Sequence, residues 1–246
     1  SAADALSDNT PLREIQAFQR DSAGRAYIPG SGIKGALRTA YLLHCILADE
    51  SYRPGSVEEG RYMNVLDMNG KRRQDAVNDI FRGVRVSDSL PIEEKSMILA
   101  GKMDAFSDGS TNNINVCREC VRPGEKVRFR LTLDQAILRQ RIDKEILLQC
   151  IAEFSKYYRE TYLRNLTRPK NEAVDTYQTC RVWGAGGGFF SKTVVYPYCG
   201  EQRGLKQTAA FMQKKFPKGH HERDEQLGVS PHTIKYTQWG GKTYPV

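Results

Sequence analysis

Residues 27–38 read Tyr27-Ile28-Pro29-Gly30-Ser31-Gly32-Ile33-Lys34-Gly35-Ala36-Leu37-Arg38, a glycine-rich turn that leads into a helix. Apolar residues recur at helical spacing from residue 33 to about residue 48, which predicts an amphipathic helix after the turn. We expect the three glycines to adopt positive φ angles and to let a ligand approach the main chain. The first turn of a helix also presents unpaired N–H groups and the positive end of the helix dipole, which attract anions.

Two basic residues extend this turn into a candidate phosphate site. Lys34 and Arg38 are four residues apart, so they share one face of the helix near its positive end. The predicted anion-binding residues of this segment are Gly30, Ser31, Gly32, Lys34 and Arg38. The alternative is a purely structural turn with a solvated lysine.

The glycine spacing also fits a dinucleotide-binding fingerprint, Gly30-x-Gly32-x-x-Gly35. Against it, the preceding strand is only about three residues long and Pro29 interrupts it. No second strand with an acidic end follows the helix at the usual distance. A nicotinamide or flavin enzyme therefore remains an alternative that the sequence does not favour.

A second glycine loop lies at 183–193 and reads Trp-Gly-Ala-Gly-Gly-Gly-Phe-Phe-Ser-Lys-Thr. It misses a nucleoside-triphosphate P-loop by one residue, because Ser191 stands where glycine is required. A flexible glycine loop beside aromatic rings suits single-stranded RNA better, through backbone amides and base stacking. The predicted RNA contacts of this loop are Gly186, Gly187, Gly188, Phe189, Ser191 and Lys192.

The remaining pattern mixes helices with strands and predicts an α+β fold. We expect loop for residues 1–26, a short helix near 74–81, a strand at 84–87, a long helix capped by Asp143 to about residue 163, and a strand at 233–239. A β-hairpin is predicted from 114–121 and 126–133 around Pro123-Gly124. Its second strand alternates apolar residues with basic ones at 126, 128 and 130.

Composition narrows the class of protein. The chain has 246 residues, 39% of them hydrophobic and 27% charged, and a net charge of +8. These values indicate a folded globular protein, and no apolar run reaches the roughly 20 residues of a membrane-spanning helix. The positive charge favours polyanionic partners. Scattered cysteines predict reduced thiols in the cytoplasm.

The segment 27–38 closely resembles the signature of RAMP proteins in type III CRISPR effector complexes. The family form has Ser-Ser where this chain has Ser31-Gly32. Residues 85–89, 119–124, 186–193 and 227–236 resemble the Csm-type (type III-A) subunit at the 3′ end of the guide RNA.

This resemblance implies a modified ferredoxin-like, RRM-derived fold with inserted helices and a β-hairpin. It also implies a first strand that is missing from this chain. The regions expected are a ferredoxin-like part at 1–134 and a helical part with the second glycine loop at 135–246. The implied function is a binding subunit that caps the guide (crRNA), supports its maturation, and contacts target RNA only indirectly. The implied partners are crRNA, the adjacent backbone subunit, the small helical subunit and a host maturation nuclease, without membrane, metal or cofactor.

Candidate catalytic groups are sparse. The family's RNA-cleaving subunits carry an Asp before the signature, and the matching position here is roughly Ile15, whose apolar side chain neither binds metal nor moves a proton. Asp88 is expected to hold a strand end rather than a metal. Cys117 and Cys120 are expected to pack rather than bind zinc. His232 and Lys235 are predicted RNA contacts, with His232 as general base if the protein is instead an endoribonuclease that processes RNA.

Overall fold

The structure is a computed structural model that describes residues 14–51, 60–65, 76–106, 110–158, 233–239 and 242–245. Its helices are α1 (Gly30–Leu47), α2 (Gly60–Met63), α3 (Gln135–Leu138) and α4 (Lys144–Tyr158), with short 3-10 turns at Ile80–Gly83 and Glu94–Ser96. Its strands are β1 (Glu14–Gln16), β2 (Val84–Val86), β3 (Met97–Phe106), β4 (Thr111–Val121), β5 (Leu131–Leu133), β6 (Thr233–Trp239) and β7 (Lys242–Pro245).

Two sheets organise these strands. The larger has the order β1-β4-β3-β6-β7, in which β1 runs parallel to β4 and the other neighbours are antiparallel. The smaller sheet joins β2 to β5, with Arg85 opposite Thr132. The combination of helices with mainly antiparallel sheets confirms the predicted α+β class.

The hydrophobic core forms where α1 packs against α4. Apolar residues at helical spacing give each helix one buried face. Leu43, Phe81, Leu138 and Phe154 have at most 1% of their surface exposed, so the core joins residues on both sides of position 134. The two-region division at 134/135 stays a prediction.

Two predicted elements are confirmed with their local causes. The long helix begins after Asp143, whose Oδ1 accepts a 2.7 Å hydrogen bond from the amide of Ile146, as an N-cap residue should. The strand predicted at 233–239 is β6.

The predicted hairpin is wrong. Strand β4 pairs with β3, a strand that the sequence analysis did not identify, whereas residues 126–130 run beside 87–90. The chain does turn at Gly124, which has a φ of 90°, but the turn carries it from the large sheet to the small one. Alternating polarity shows which face of a strand is buried, but it does not determine which other strand it pairs with.

Two smaller differences from the predicted secondary structure concern short elements. Residues 14–16, expected as loop, form β1. In place of the helix expected near 74–81, the described residues contain the 3-10 turn at Ile80–Gly83, capped by Asp79. None of the described helices is long and apolar enough to cross a membrane.

Candidate functional site

The glycine turn, Gly30–Gly35, forms the first turn of α1. The main-chain amide of Gly30 donates a 2.8 Å hydrogen bond to Asp88 Oδ1. A Cβ on residue 30 would overlap the carbonyl oxygens of Val86 and Ser87. Glycine is therefore required here by close packing of the helix start against the chain that follows β2.

The expectation of positive φ angles in this turn is wrong. The helix already begins at Gly30, so all three glycines have helical backbone, and the described glycines with positive φ are Gly24 and Gly124. The apolar periodicity predicts a helix from residue 33, whereas the helix begins three residues earlier, directly after its N-cap residue Pro29.

The other two glycines of the turn face open space. Gly32 and Gly35 are exposed, and no described atom outside the helix would lie within 4 Å of a Cβ at either position. Glycine inside a helix costs roughly 0.5–1 kcal/mol relative to alanine. Packing among the described residues gives no reason for this cost.

Two hydrogen bonds fix the chain that lies just before the turn. The amide of Ile28 donates to Ser89 Oγ at 2.9 Å, and the amide of Ser89 donates to the carbonyl oxygen of Ile28 at 3.0 Å. Together with the Gly30–Asp88 bond, they attach residues 28–30 to residues 88–89. Asp88 thus makes a structural contact, with the start of α1 rather than with a strand end.

The basic residues of the turn have different surroundings. Arg38 donates two hydrogen bonds of 2.9 and 2.6 Å to Asp79 Oδ2, and Asp79 Oδ1 accepts from the amide of Phe81 at 2.8 Å. Arg38 thus ties α1 to the 3-10 turn before β2. Lys34 is half-buried, and no ion pair joins it to a carboxylate of the described chain.

Comparison with family models identifies the family of this chain. The model of the RAMP superfamily matches residues 8–241, nearly the whole chain. The chain belongs to the RAMP superfamily.

Two curated relatives of this RAMP protein are Csm5 proteins. It is 30% identical over 243 residues to the CRISPR system Cms protein Csm5 of Mycobacterium tuberculosis strain CDC 1551, covering 92% of this chain and 63% of the relative. It is 28% identical over 212 residues to the Csm5 protein of Streptococcus thermophilus, covering 83% of this chain and 54% of the relative. The chain thus spans between half and two thirds of the relatives' length.

A solved structure supports the same fold. A chain of a Csm–crRNA–target RNA ternary complex from a type III-A CRISPR-Cas system matches with a TM-score of 0.59 at 17% identity, covering 93% of this chain and 74% of that chain. The family match and the curated relatives confirm the resemblance to a Csm-type RAMP subunit that the sequence motifs indicate.

The other predicted site residues of this RAMP chain lie outside the glycine turn. Lys235 lies on β6, where its backbone is in register with Asp104. The contacts predicted at Gly186, Gly187, Gly188, Phe189, Ser191, Lys192 and His232 lie outside the described residues. The structure thus brings Gly30, Ser31, Gly32 and Lys34 together on the first turn of α1, and the remaining RNA contacts stay predictions.

Of the described positions that were candidates for chemistry, Ile15, Cys117 and Cys120 lie on strands of the large sheet. Ile15 lies on β1 with 54% of its surface exposed. Cys117 is buried on β4, and burial raises the pKa of Cys120, which disfavours the thiolate that would bind zinc. Within the described ranges, no three His, Cys, Asp or Glu side chains are grouped to hold a metal ion.

Sequence reasoning missed how the turn is held. The sequence places Asp88 at a strand end but does not show its bond to the amide of Gly30, because the two residues are 58 positions apart. A serine–aspartate–serine run directly after a β-strand was the available signal, since such short polar side chains commonly bond main-chain groups.

Proposed function

We propose that this chain is a non-catalytic subunit of a type III-A CRISPR interference complex that binds crRNA and caps its 3′ end. Membership of the RAMP superfamily and similarity to two Csm5 proteins support this proposal. A net charge of +8 suits a subunit that binds a polyanion.

The observation that carries the proposal is the open space at Gly32 and Gly35 beside Lys34. Helix glycines without a packing reason allow a sugar–phosphate backbone to approach the main chain, and Lys34 adds a positive charge. Contacts of this kind hold the backbone and do not read bases. A guide-binding subunit needs this property because spacer sequences vary.

The hydrogen bond between Gly30 and Asp88 narrows down which groups are available to contact the phosphate. The amide of Gly30 already has an acceptor, and the carboxylate adds a negative charge at the helix N-terminus. We therefore assign the phosphate contact to the exposed Ser31-Gly32 segment and to Lys34, one turn further along the helix, with Gly30 as the packing residue.

The modified ferredoxin-like fold belongs to the same proposal. Helix α1 lies between β1 and β3 in the chain, β3 and β4 are antiparallel neighbours, β4 is parallel to β1, and α4 follows. This order supports the proposed fold. The further strand before residue 1 stays a prediction from the resemblance.

The proposed partners are crRNA, the adjacent backbone RAMP subunit, the small helical subunit and a host maturation nuclease, in the cytoplasm. Target RNA meets the complex through pairing with the guide. An apolar residue, Ile15, at the position matched to the family's catalytic Asp supports binding without cleavage.

The capping role is tested by assembling the complex with and without this chain and sequencing the guide 3′ ends. The proposal predicts guides with altered 3′ ends when the chain is absent and restored ends when it is supplied. Guides of identical length in both preparations would contradict capping. Cleavage of target RNA that the chain catalyses alone would contradict the non-catalytic role.

A further inference from the structure

Three cationic side chains lie on the extended segment that precedes β5. Lys126, Arg128 and Arg130, which we term the basic ladder, are all exposed, whereas Val127 and Phe129 between them are partly buried. The alternation places the three cations on one face of an extended segment and turns the apolar residues inward.

The segment is held in an extended conformation by the chain after β2. The amide of Ser87 donates to the carbonyl oxygen of Arg130 at 3.0 Å, and the amide of Leu90 donates to the carbonyl oxygen of Arg128 at 3.0 Å. These bonds continue the antiparallel pairing of β2 with β5. In extended backbone, residues two apart are separated by about 6.4–6.8 Å, a spacing similar to that between successive phosphates of an extended single strand.

The ladder residues differ from several nearby arginines in having no carboxylate partner within the described residues. Arg20, Arg25 and Arg85 all form ion pairs with Asp or Glu side chains. No such pair joins Lys126, Arg128 or Arg130 to an acidic residue in the described part of the chain. Three uncompensated charges in a row create a positive strip that favours a polyanion.

The ladder and the glycine turn share one supporting segment. The carbonyl oxygen of Ser87 lies against Gly30, and Ser87 Oγ accepts a 2.9 Å hydrogen bond from the amide of Arg130. Ser87 thus contacts both the ladder segment and the start of the glycine turn, which brings the two surfaces near each other.

A cavity of about 290 Å³ lies at the Lys126 end of the ladder. Its lining combines the apolar Leu90, Ile92 and Val127 with the cations Lys126 and Arg128 and the carboxylate residues Glu93 and Glu125. The apolar part fits an unstacked base, and the adjacent cations fit its phosphate. An unstacked base belongs to a single strand rather than to a duplex, whose bases are paired and stacked.

We propose that the basic ladder binds successive phosphates of a single-stranded RNA and continues the path of that RNA from the glycine turn. This inference rests on the proposed function, because it assumes that the chain binds RNA. It adds a second contact surface, formed by residues 126–130.

The test compares two triple variants that remove the same charge. The ladder variant carries Lys126→Gln, Arg128→Gln and Arg130→Gln. The control carries Arg141→Gln, Lys144→Gln and Lys156→Gln, three exposed cations on or beside α4. Binding of a fluorescein-labelled 20-nucleotide polyuridine RNA is measured by anisotropy across a salt series, with thermal melting to confirm folding.

We expect the ladder variant to bind about tenfold more weakly, and its log–log salt slope to be smaller by about 2, since each single-strand phosphate contact contributes about 0.7. The control should change affinity by less than about threefold. Equal losses in both variants would overturn the ladder while leaving RNA binding intact. If the wild-type chain binds no RNA, the proposed function itself fails. If the ladder variant keeps its RNA affinity but loses a protein subunit of the complex, the ladder is a protein-docking surface and the inference is wrong.

Discussion

The main-chain amide of Gly30 donates a 2.8 Å hydrogen bond to Asp88 Oδ1, across 58 residues of sequence. This bond fixes the start of α1 against the chain that follows β2. It also divides the glycines of the turn into one that packs and two that face open space. The division yields predictions in which stability and RNA binding change independently.

Gly30→Ala should destabilise the protein, because the new Cβ would overlap two backbone carbonyl oxygens that are unable to rotate away. We expect a loss of about 1–3 kcal/mol, as for other overpacked sites. Gly35→Ala is the matched control and should gain roughly 0.5–1 kcal/mol of helix stability. Urea denaturation measures both, and equal stability of the two variants would refute the packing role of Gly30.

Gly35→Ala should nevertheless weaken RNA binding, since its methyl group occupies the space that we assign to the RNA backbone. The expected signature is a higher melting temperature together with a lower affinity for single-stranded RNA. The measurement is anisotropy at fixed salt on the same preparation used for melting. Unchanged affinity would show that the open space at Gly35 has another purpose.

Asp88→Ala should lower stability by about 0.5–2 kcal/mol, the usual range for losing a side-chain acceptor at a helix N-terminus. Asp88→Asn keeps an oxygen acceptor and should retain most of the stability. Both variants remove a negative charge beside the turn, so neither should weaken RNA binding while the helix start is intact. A large loss of stability in Asp88→Asn would show that charge, rather than the hydrogen bond, holds Gly30.

Arg38→Gln should lower the stability of the fold, whereas Lys34→Gln should weaken RNA binding. Arg38 is paired with Asp79, and its loss should cost about 1–2 kcal/mol because the half-buried carboxylate loses its partner. Lys34→Gln should leave the melting temperature nearly unchanged and weaken RNA binding uniformly across sequences. A sequence-selective loss in Lys34→Gln would contradict a backbone contact.

Cys150 should resist alkylation in the folded protein. Burial raises the pKa of its thiol to about 12, above the ordinary value of 9.0, so almost no thiolate is present at pH 8. The same shift makes stability fall as pH rises from about 9 towards 12, because the unfolded thiol ionises first. Peptide-resolved mass spectrometry after iodoacetamide treatment measures this, with unfolded protein as the reactive control. Equal modification of folded and unfolded Cys150 would contradict the burial.

Local patterns were enough to predict α1, the Asp143 cap of α4 and the strand β6, since each depends on periodicity or on bonds within a few residues. Strand pairing was not predictable, because residues 126–130 alternate in the same way whichever strand they join. The role of Gly30 was equally hidden. Close contact with Val86 and Ser87 depends on the fold, whereas the sequence shows only that glycine is present.

The most direct test of the central claim is purification of the intact complex from its host through a tag on this chain, followed by sequencing of the bound RNA. The account predicts short RNAs that share a repeat-derived 5′ tag, followed by variable spacer sequence, together with the other subunits of a Csm complex. Recovery of the chain with no RNA, or with a bound nucleotide cofactor, would contradict it.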